Sequence, residues 1–305
     1  MNSSIQLSAS PVQLSATAQT LTEATSISLA DAILQTAIST PFYPDSIPTT
    51  FVQQGEGSEK AAPILLLHGF DSSVFEFRRL LPLLAPHREA WALDLLGFGF
   101  TERMAGLTFS PDEIRQHLYA FWEQAIARPL VLVGASMGGA AAIDFALRYP
   151  QAVERLVLLD SAGFAKGGPE TKVMVPPLDW IATEILRNSW VRNRISQLAY
   201  CDRTFSSADA ATCAALHLEC EGWRRATIAF TKSGGYTFLA DRIREVKSKT
   251  LVVWGEDDQI LGTKDAEKFE QAIADCQLVW IPKCGHVPHL ETPQRTADLI
   301  LPFIR

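Results

Sequence analysis

The stretch Gly134-Ala135-Ser136-Met137-Gly138-Gly139 decides the fold of this chain. The apolar run Pro129 to Val133 precedes it and is typical of a buried parallel strand. The Ala-rich run Ala140 to Tyr149 follows it and predicts a helix. A strand that turns at once into a helix has little steric room. Glycines on both sides of Ser136 relieve this crowding and let the serine take a strained backbone conformation.

The same stretch predicts a nucleophile. The hydroxyl of Ser136 would project from the tip of the sheet. The N–H of Met137 would lie at a helix N-terminus, where backbone donors are unpaired and the helix dipole favours negative charge. A Gly-x-Ser-x-Gly pattern between a strand and a helix is typical of a nucleophile elbow, with half of an oxyanion hole beside the hydroxyl.

Length and composition indicate the class of protein. The 305 residues, nearly half of them apolar, suffice for one large α/β domain with an insertion or for two small domains. The net charge of −7 and the lack of a basic stripe argue against a nucleic-acid partner. No apolar run is long enough for a membrane span, and the first basic residue, Lys60, comes too late for a targeting signal. We therefore predict a cytoplasmic protein.

The cysteines do not form a recognisable framework. Their number is odd, and their spacing matches no zinc site. Free thiols are the default in a reducing compartment, although one disulfide among the first three stays open. The five cysteines are Cys201, Cys213, Cys220, Cys276 and Cys284.

Strands and helices alternate along most of the chain. This alternation predicts a mostly parallel central sheet flanked by helices. It is lost over residues 161–244, which are rich in helix formers and show no clear strand, so we expect a helical cap over the strand tips. The core is then expected over residues 46–160 and 245–305.

Residues 1–45 are predicted to be an N-terminal extension, partly mobile because its first part is polar and of low complexity. The apolar residues between Ala30 and Ile38 follow helical spacing, so we expect one short helix there, with Ser28 as its N-cap. Thr49 to Gln54 is expected to be an edge strand.

A serine nucleophile needs a general base, and the base needs a group that fixes its tautomer. Catalytic groups gather beyond the carboxyl ends of the strands in such sheets. The strand Thr250 to Trp254 is followed by three acidic residues, any of which could face the site: Glu256, Asp257 and Asp258. The next strand, Gln277 to Ile281, is followed by Gly285 and His286, and this histidine is well placed to act as the base.

Over residues 49–305, the chain resembles the α/β-hydrolases that have His-Gly oxyanion loops. The matching motifs are, in chain order, His68-Gly69-Phe70, Asp94-x-x-Gly97-x-Gly99-x-Thr101, Gly134-x-Ser136-x-Gly138, Trp254-Gly255-x-x-Asp258, and Gly285-His286 with Glu291 and Pro293 beyond. Two departures are small: Thr101 stands where the family usually has serine, and Gly262 stands near a usual proline.

The resemblance implies Ser136 as nucleophile, His286 as base and Asp258 as acid. It also implies an oxyanion hole formed by the N–H groups of Phe70 and Met137. Asp257 is an alternative acid by position, and Asp160 is another because some relatives place the acid there. We expect His289 to be structural, Glu291 to cap or brace the final helix, and His68 to organise the oxyanion loop.

The function expected from this resemblance is cleavage of a carboxylic ester or related acyl compound through an acyl-enzyme, with no metal or organic cofactor. The substrate would be a small, partly hydrophobic molecule. Asp71, Trp180, Ile181 and Ile185 are candidates for the pocket, because the start of the cap is apolar. Arg187, Arg192 and Arg194 suit a solvated helix face, with carboxylate binding as the alternative. We expect a monomer or homodimer.

Other functions fit the same motifs. Relatives use the triad for carbon–carbon bond hydrolysis, for a lyase step of menaquinone synthesis, or as cofactor-free haloperoxidases. Dehalogenase and epoxide hydrolase chemistry is disfavoured, because those relatives carry aspartate where Ser136 stands. A ligand-binding receptor on a hydrolase scaffold is a further alternative, since a fold does not by itself imply turnover.

Overall fold

A mixed β-sheet runs through the protein. The computed structural model describes residues 8–58, 61–165 and 178–305, and nine strands form one sheet within these ranges. The strands are β1 (Ala9–Pro11), β2 (Leu34–Thr40), β3 (Tyr43–Gln54), β4 (Ile64–Leu67), β5 (Ala90–Leu93), β6 (Leu130–Ala135), β7 (Val153–Leu159), β8 (Lys249–Gly255) and β9 (Cys276–Ile281).

The strand order is β1-β2-β3-β5-β4-β6-β7-β8-β9. Strands β1 to β3 form an antiparallel meander, and β3 also pairs antiparallel with β5. From β5 to β9 every neighbouring pair is parallel. Strand β6 lies between β4 and β7, and Gly134 pairs with Leu67 and Leu158. The carboxyl ends of these strands therefore meet at one edge of the sheet, where Ser136 follows β6.

Helices cover both faces of the sheet. The strands β4, β5 and β6 are buried along their whole length, as expected for a parallel sheet enclosed on both sides. Two buried apolar clusters result, one on each side. The described α-helices are α1 (Ala24–Asp31), α2 (Leu81–Leu84), α3 (Pro111–Phe121), α4 (Met137–Arg148), α5 (Leu178–Arg187), α6 (Ser189–Ala199), α7 (Ala208–Ala215), α8 (Trp223–Lys232), α9 (Ala266–Ala272), α10 (Pro288–Glu291) and α11 (Pro293–Phe303).

The expectation for the N-terminal segment is wrong in part. Residues 8–45 are not a separate extension, because β1, β2 and the start of β3 belong to the central sheet. The helix in this segment spans Ala24–Asp31. Residues Leu34 to Ile38, which were expected to be helical, belong to strand β2 instead. Thr36 and Ile38 alternate with exposed residues, and this period of two overrides the helical spacing. Strand β3 is internal rather than an edge strand. Residues 1–7 lie outside the described ranges.

The N-terminal segment is also tied to the cap. The carboxylate of Asp209, in α7, accepts hydrogen bonds from the backbone N–H groups of Thr22 and Glu23 at 2.6 and 2.9 Å. It accepts a third from the hydroxyl of Ser26 at 2.6 Å. These bonds satisfy donors at the start of α1 that would otherwise be unpaired. The segment therefore fastens the cap to the body.

The expected cap is helical where the structure describes it. Helices α5 to α8 occupy residues 178–232, and no strand occurs between residues 178 and 244. The part of the predicted cap from 166 to 177 lies outside the described residues. Among the helices that are described, none combines the length and the apolar character that crossing a bilayer requires.

Candidate active site

Ser136 occupies the strained turn that the sequence predicts. Its φ is 51° and its ψ is −119°, in a region that residues other than glycine rarely enter. The turn is closely packed. A Cβ at Gly134 would lie 2.3 Å from the carbonyl oxygen of Gly138, and one at Gly138 would lie 2.1 Å from that of Leu67. The glycines around Ser136 are therefore required by the approach of backbone to backbone.

Two backbone donors border the turn. Met137 is the first residue of α4, so its N–H has no acceptor within the helix. Phe70 follows β4 in the loop His68-Gly69-Phe70, and within the described ranges no protein acceptor binds its N–H either. Both Phe70 and Ser136 line one cavity. This is the arrangement that the predicted oxyanion hole requires.

Buried hydrogen bonds hold the oxyanion loop. Nδ1 of His68 lies 2.8 Å from the carbonyl oxygen of Gly69, and Nε2 accepts from the N–H of Leu95 at 3.1 Å. Burial lowers the pKa of His68 to about 4, so the ring is neutral and Nδ1 carries the proton. The N–H of Gly69 donates to Glu76 at 2.9 Å. These contacts agree with the expected role of His68 as an organiser of the loop.

Asp258 and His286 form a buried pair. Nδ1 of His286 lies 3.0 Å from Oδ2 of Asp258, and both residues are buried. The other oxygen, Oδ1, accepts from the N–H groups of Ile260 and Leu261 at 2.7 and 3.1 Å. Because Oδ2 accepts from Nδ1, Nε2 of His286 is left without a proton and can act as a base. His286 and Ser136 line the same cavity.

The alternative acids occupy different surroundings. Asp257 is exposed, and its carboxylate accepts from the thiol of Cys201 at 3.4 Å. Asp160 is buried at the end of β7, and its Oδ1 accepts from the N–H of Gly255 at 3.0 Å. Burial and the nearby charge of Asp258 raise the pKa of Asp160 well above its usual value. Asp160 therefore holds a proton more tightly than an exposed aspartate does.

Asp160, Asp258 and His286 also form the one group of potential metal-ligating side chains found among the described residues. One ligand atom from each lies within 4.8 Å of the others. Hydrogen bonds already engage both oxygens of Asp258 and Nδ1 of His286. A proton on Asp160 relieves the repulsion between the two carboxyl groups. The chemistry of this donor set therefore favours a shared proton over a cation.

Glu291 joins the histidine loop to the cap. Its carboxylate accepts from the N–H groups of Gly285, Cys201 and Asp202 at 2.7, 3.2 and 2.6 Å. The N–H of His286 donates to the carbonyl oxygen of Ala199, at the end of α6, at 2.7 Å. Glu291 therefore stabilises the loop that contains Gly285 and His286, and not the final helix as expected.

Asp71 joins the oxyanion loop to the cap at a second place. Its carboxylate accepts from Nε1 of Trp223 at 2.7 Å and from Nη1 of Arg192 at 2.5 Å, and it lies 3.1 Å from Nε2 of His217. Burial alone would raise the pKa of Asp71, but His217 and Arg192 lower it. Arg192 was expected on a solvated helix face, but it forms an ion pair with the buried carboxylate of Asp71.

The cavity that contains Ser136 and His286 has a volume of about 410 Å³. It lies between the sheet edge and the cap, and Asp71 lines it, as predicted. The prediction for the other pocket residues is wrong, because Trp180, Ile181 and Ile185 are exposed on the outer face of α5 and do not line this cavity. The apolar cap residues that do line it include Leu186, Ile195 and Leu218.

Two functional candidates escaped the sequence analysis. Glu76 is partly buried beside His289, with Oε1 3.1 Å from Nε2 of that ring. Arg78 is 3 % exposed and lines the cavity. Both lie on the 3₁₀ turn that follows the oxyanion loop, Val74–Phe77, or directly after it. The sequence offered one signal for them, since an acidic and a basic residue follow the His-Gly motif within ten residues.

The five cysteines are all free.

Comparison with known proteins agrees with this geometry. Residues 64–299 match the model of the alpha/beta hydrolase family. The alpha/beta hydrolase domain-containing protein VTE7 of Arabidopsis thaliana is 35% identical over 79% of this chain and 74% of its own length. The 2-hydroxy-6-oxo-2,4-heptadienoate hydrolase of Pseudomonas putida is 27% identical over 79% of this chain and 88% of its own. Lipase 1 of Psychrobacter immobilis is 27% identical, with 79% and 76% covered.

The family model covers more than half of the chain. The relatives named above are hydrolases or carry the hydrolase domain. The chain therefore belongs to the alpha/beta hydrolase family and is a hydrolase.

Proposed function

We propose that this hydrolase cleaves carboxylic esters through Ser136, His286 and Asp258. The observation that carries the proposal is the pair of Asp258 and His286, joined at 3.0 Å and opening into the cavity that Ser136 also lines. The strained φ of 51° at Ser136 supports it, because such strain is kept where it serves a function. The likeness to Lipase 1 of Psychrobacter immobilis favours an ester as substrate.

In the proposed mechanism, Oγ of Ser136 attacks the acyl carbonyl carbon while Nε2 of His286 accepts its proton. The negative charge moves to the carbonyl oxygen, where the N–H groups of Phe70 and Met137 donate to it. Each such donor stabilises the transition state by on the order of 3 kcal/mol. His286 then gives its proton to the departing alcohol. Water attacks the acyl-enzyme with His286 again as base, which releases the acid and restores Ser136.

Asp258 has two roles in this scheme. It holds the proton on Nδ1 of His286, so that Nε2 faces the reaction, and it stabilises the imidazolium that forms. Its own position is fixed by the N–H groups of Ile260 and Leu261. The pair therefore needs no rearrangement during the reaction.

The test is a panel of para-nitrophenyl esters of graded acyl length, assayed with the wild type and two serine variants. Ser136→Ala should abolish turnover. Ser196→Ala is the matched control, because Ser196 also lines the cavity but bonds to Ser206 at 2.9 Å. Turnover that persists in Ser136→Ala, or that vanishes only in Ser196→Ala, would refute the proposal.

Carbon–carbon bond hydrolysis is a second candidate. The observation that favours it is the likeness to a Pseudomonas putida hydrolase whose name specifies an oxo-dienoate. The same three residues can serve a ketone as well as an ester, because both present an acyl carbonyl. Assay of a vinylogous diketo acid beside the ester panel separates the two: faster cleavage of the diketo acid would make ester turnover the side activity.

A further inference from the structure

One buried cation at the active-site cavity forms no ion pair with a carboxylate among the residues that the structure describes. The side chain of Arg78 is almost wholly buried, at 3 % exposure. Its Nη1 donates to the carbonyl oxygen of Phe75 at 3.2 Å. Nε and Nη2 are buried and have no acceptor in good hydrogen-bonding geometry among the described residues, although the hydroxyl of Tyr200 interacts with the guanidinium. A buried charge without an ion-pair partner is costly, so such an arrangement calls for a ligand.

The two carboxylates whose pKa the charge of Arg78 lowers, Glu23 and Asp209, bind other groups. Glu23 forms its ion pair with Arg79 at 2.6 Å. Asp209 binds Ser26 and the start of α1. Neither carboxylate is left to neutralise Arg78 by direct contact.

The guanidinium belongs to the wall of the cavity that Ser136 and His286 also line. Tyr200 and Cys213 line that cavity with Arg78, and the positive charge of Arg78 opposes the rise that burial causes in the pKa of each. Apolar residues line the same cavity, among them Val287 and Leu290. A ligand that reaches from Ser136 to Arg78 would therefore have an apolar middle and a polar end.

We infer that Arg78 binds a carboxylate of the substrate, so that this hydrolase prefers acyl compounds with a second, anionic carboxyl end. Two free N–H groups on one planar guanidinium match the two oxygens of a carboxylate. A single negative charge suits the site better than a dianionic phosphate, because Glu23 and Asp209 are close by. The inference rests on the proposed function and names its substrate class.

The cap arginines are the rival assignment. Arg192 is committed to Asp71 and to the carbonyl oxygen of Ala214, at 2.5 and 2.6 Å. Arg187 lines the cavity too, but it is exposed, so water already satisfies its charge. Arg187→Met is therefore the matched control for Arg78→Met, with the same change of side chain in the same cavity.

The kinetic test compares mono-para-nitrophenyl adipate, which ends in a carboxylate, with para-nitrophenyl hexanoate, which ends in a methyl group. The ratio of their kcat/KM values should fall by about tenfold to hundredfold in Arg78→Met, mainly through KM. The ratio should fall less in Arg78→Lys, because lysine keeps the positive charge but lacks the two parallel N–H donors of the guanidinium. The ratio should stay unchanged in Arg187→Met. A fall confined to Arg187→Met, or an unchanged ratio in Arg78→Met, would overturn the inference.

A binding test covers the case in which Arg78→Met does not fold. Adipate and its neutral diamide are titrated calorimetrically into Ser136→Ala, which retains Arg78. Tighter binding of adipate supports the inference, and equal binding contradicts it, because Nε and Nη2 would then be satisfied by water alone. Turnover of the hexanoate ester by the wild type, and its loss in Ser136→Ala, tests the proposed function separately.

Melting temperatures give a further readout. Replacing a buried, unpaired cation by an apolar residue of similar size is often neutral or stabilising. Arg78→Met should therefore melt at or above the wild-type temperature without ligand, and adipate should raise the melting temperature of the wild type only. A large drop in the melting temperature of the unliganded variant would instead assign Arg78 a structural role.

Discussion

The backbone N–H of His286 donates to the carbonyl oxygen of Ala199 at 2.7 Å, so the loop of the histidine is fastened to the end of cap helix α6. Glu291 strengthens this junction with three backbone bonds, one to the histidine loop and two to the residues after α6. The cap therefore covers the cavity and also positions the proposed base. A displacement of the cap would move the imidazole.

Glu291→Gln should weaken both activity and stability. Glutamine offers one acceptor oxygen where the carboxylate offers two, so at least one of the three backbone donors loses its partner. Loss of a hydrogen bond to a charged group costs about 1.5–3 kcal/mol. We expect the melting temperature to fall by several degrees and kcat/KM to fall by about tenfold.

Calorimetry and ester kinetics measure these two effects. Glu256→Gln is the control, because Glu256 is an exposed acid on the neighbouring strand end. If Glu291→Gln behaves like Glu256→Gln, the junction does not position the base.

Asp258→Asn should remove most of the activity while leaving the fold intact. The N–H groups of Ile260 and Leu261 fix which side-chain atom is the oxygen, so the amide NH₂ must face Nδ1 of His286. Nδ1 must then accept, Nε2 must carry the proton, and the ring cannot act as a base. A loss of about ten-thousandfold in kcat is expected by analogy with serine proteases, measured with para-nitrophenyl esters.

The neighbouring acid supplies the control for this change. Asp257→Asn alters an exposed carboxylate one residue away and should leave kcat within the error of the assay. A larger loss in Asp257→Asn than in Asp258→Asn would contradict the assignment of the acid.

Asp160→Asn should change the pH dependence of stability. Burial, together with the charge of Asp258, raises the pKa of Asp160 well above 3.8, its unfolded value. The folded state therefore keeps a proton that the unfolded state releases, and stability falls as the pH rises above about 4. Asparagine resembles the protonated carboxyl group and removes this loss.

Urea denaturation at a series of pH values tests this sign. The stability of Asp160→Asn relative to the wild type should increase as the pH rises, by up to about 1.4 kcal/mol per pH unit. Parallel curves for the two proteins would mean that Asp160 is ionised in the folded state.

The elbow and the parallel strands could be predicted because each is encoded locally, whereas the choice of Asp258 among three acidic residues came from the family resemblance. Ser136 needs glycines beside it, and each proposed partner directly follows its own strand. The N-terminal strand β2 could not be predicted in the same way. Leu34 to Thr40 contains small and β-branched residues that suit both a period of two and a period of 3.6. Pairing with β3 decides between them.

The lining of the pocket could not be predicted because it depends on how the cap is placed. Helix α5 carries an apolar stripe, but a stripe does not tell which surface it covers. In the structure Trp180 and Ile185 are more than half exposed, at 52 % and 54 %. Arg78 was missed for the opposite reason, since a basic residue at the end of a short turn is normally solvated. Its burial follows from packing of α7 and the segment after α6.

Asp71→Asn should loosen the cap without disturbing the local backbone. Asp71 has a φ of 51°, a conformation that asparagine also tolerates. The change removes the charge that partners Arg192 in a partly buried ion pair, which costs about 1–3 kcal/mol. We expect a lower urea midpoint and a higher KM for esters. Asp241→Asn, at an exposed acid, is the control and should change neither.

The most direct test of the central claim is the site of covalent labelling. The wild type is treated with a fluorophosphonate probe, digested, and mapped by mass spectrometry. The account predicts one adduct, on Ser136, in folded protein. It should not form when the protein is denatured before the probe is added, and it should form much more slowly in His286→Ala. An adduct on another residue, or an unlabelled Ser136 in folded protein, would contradict it.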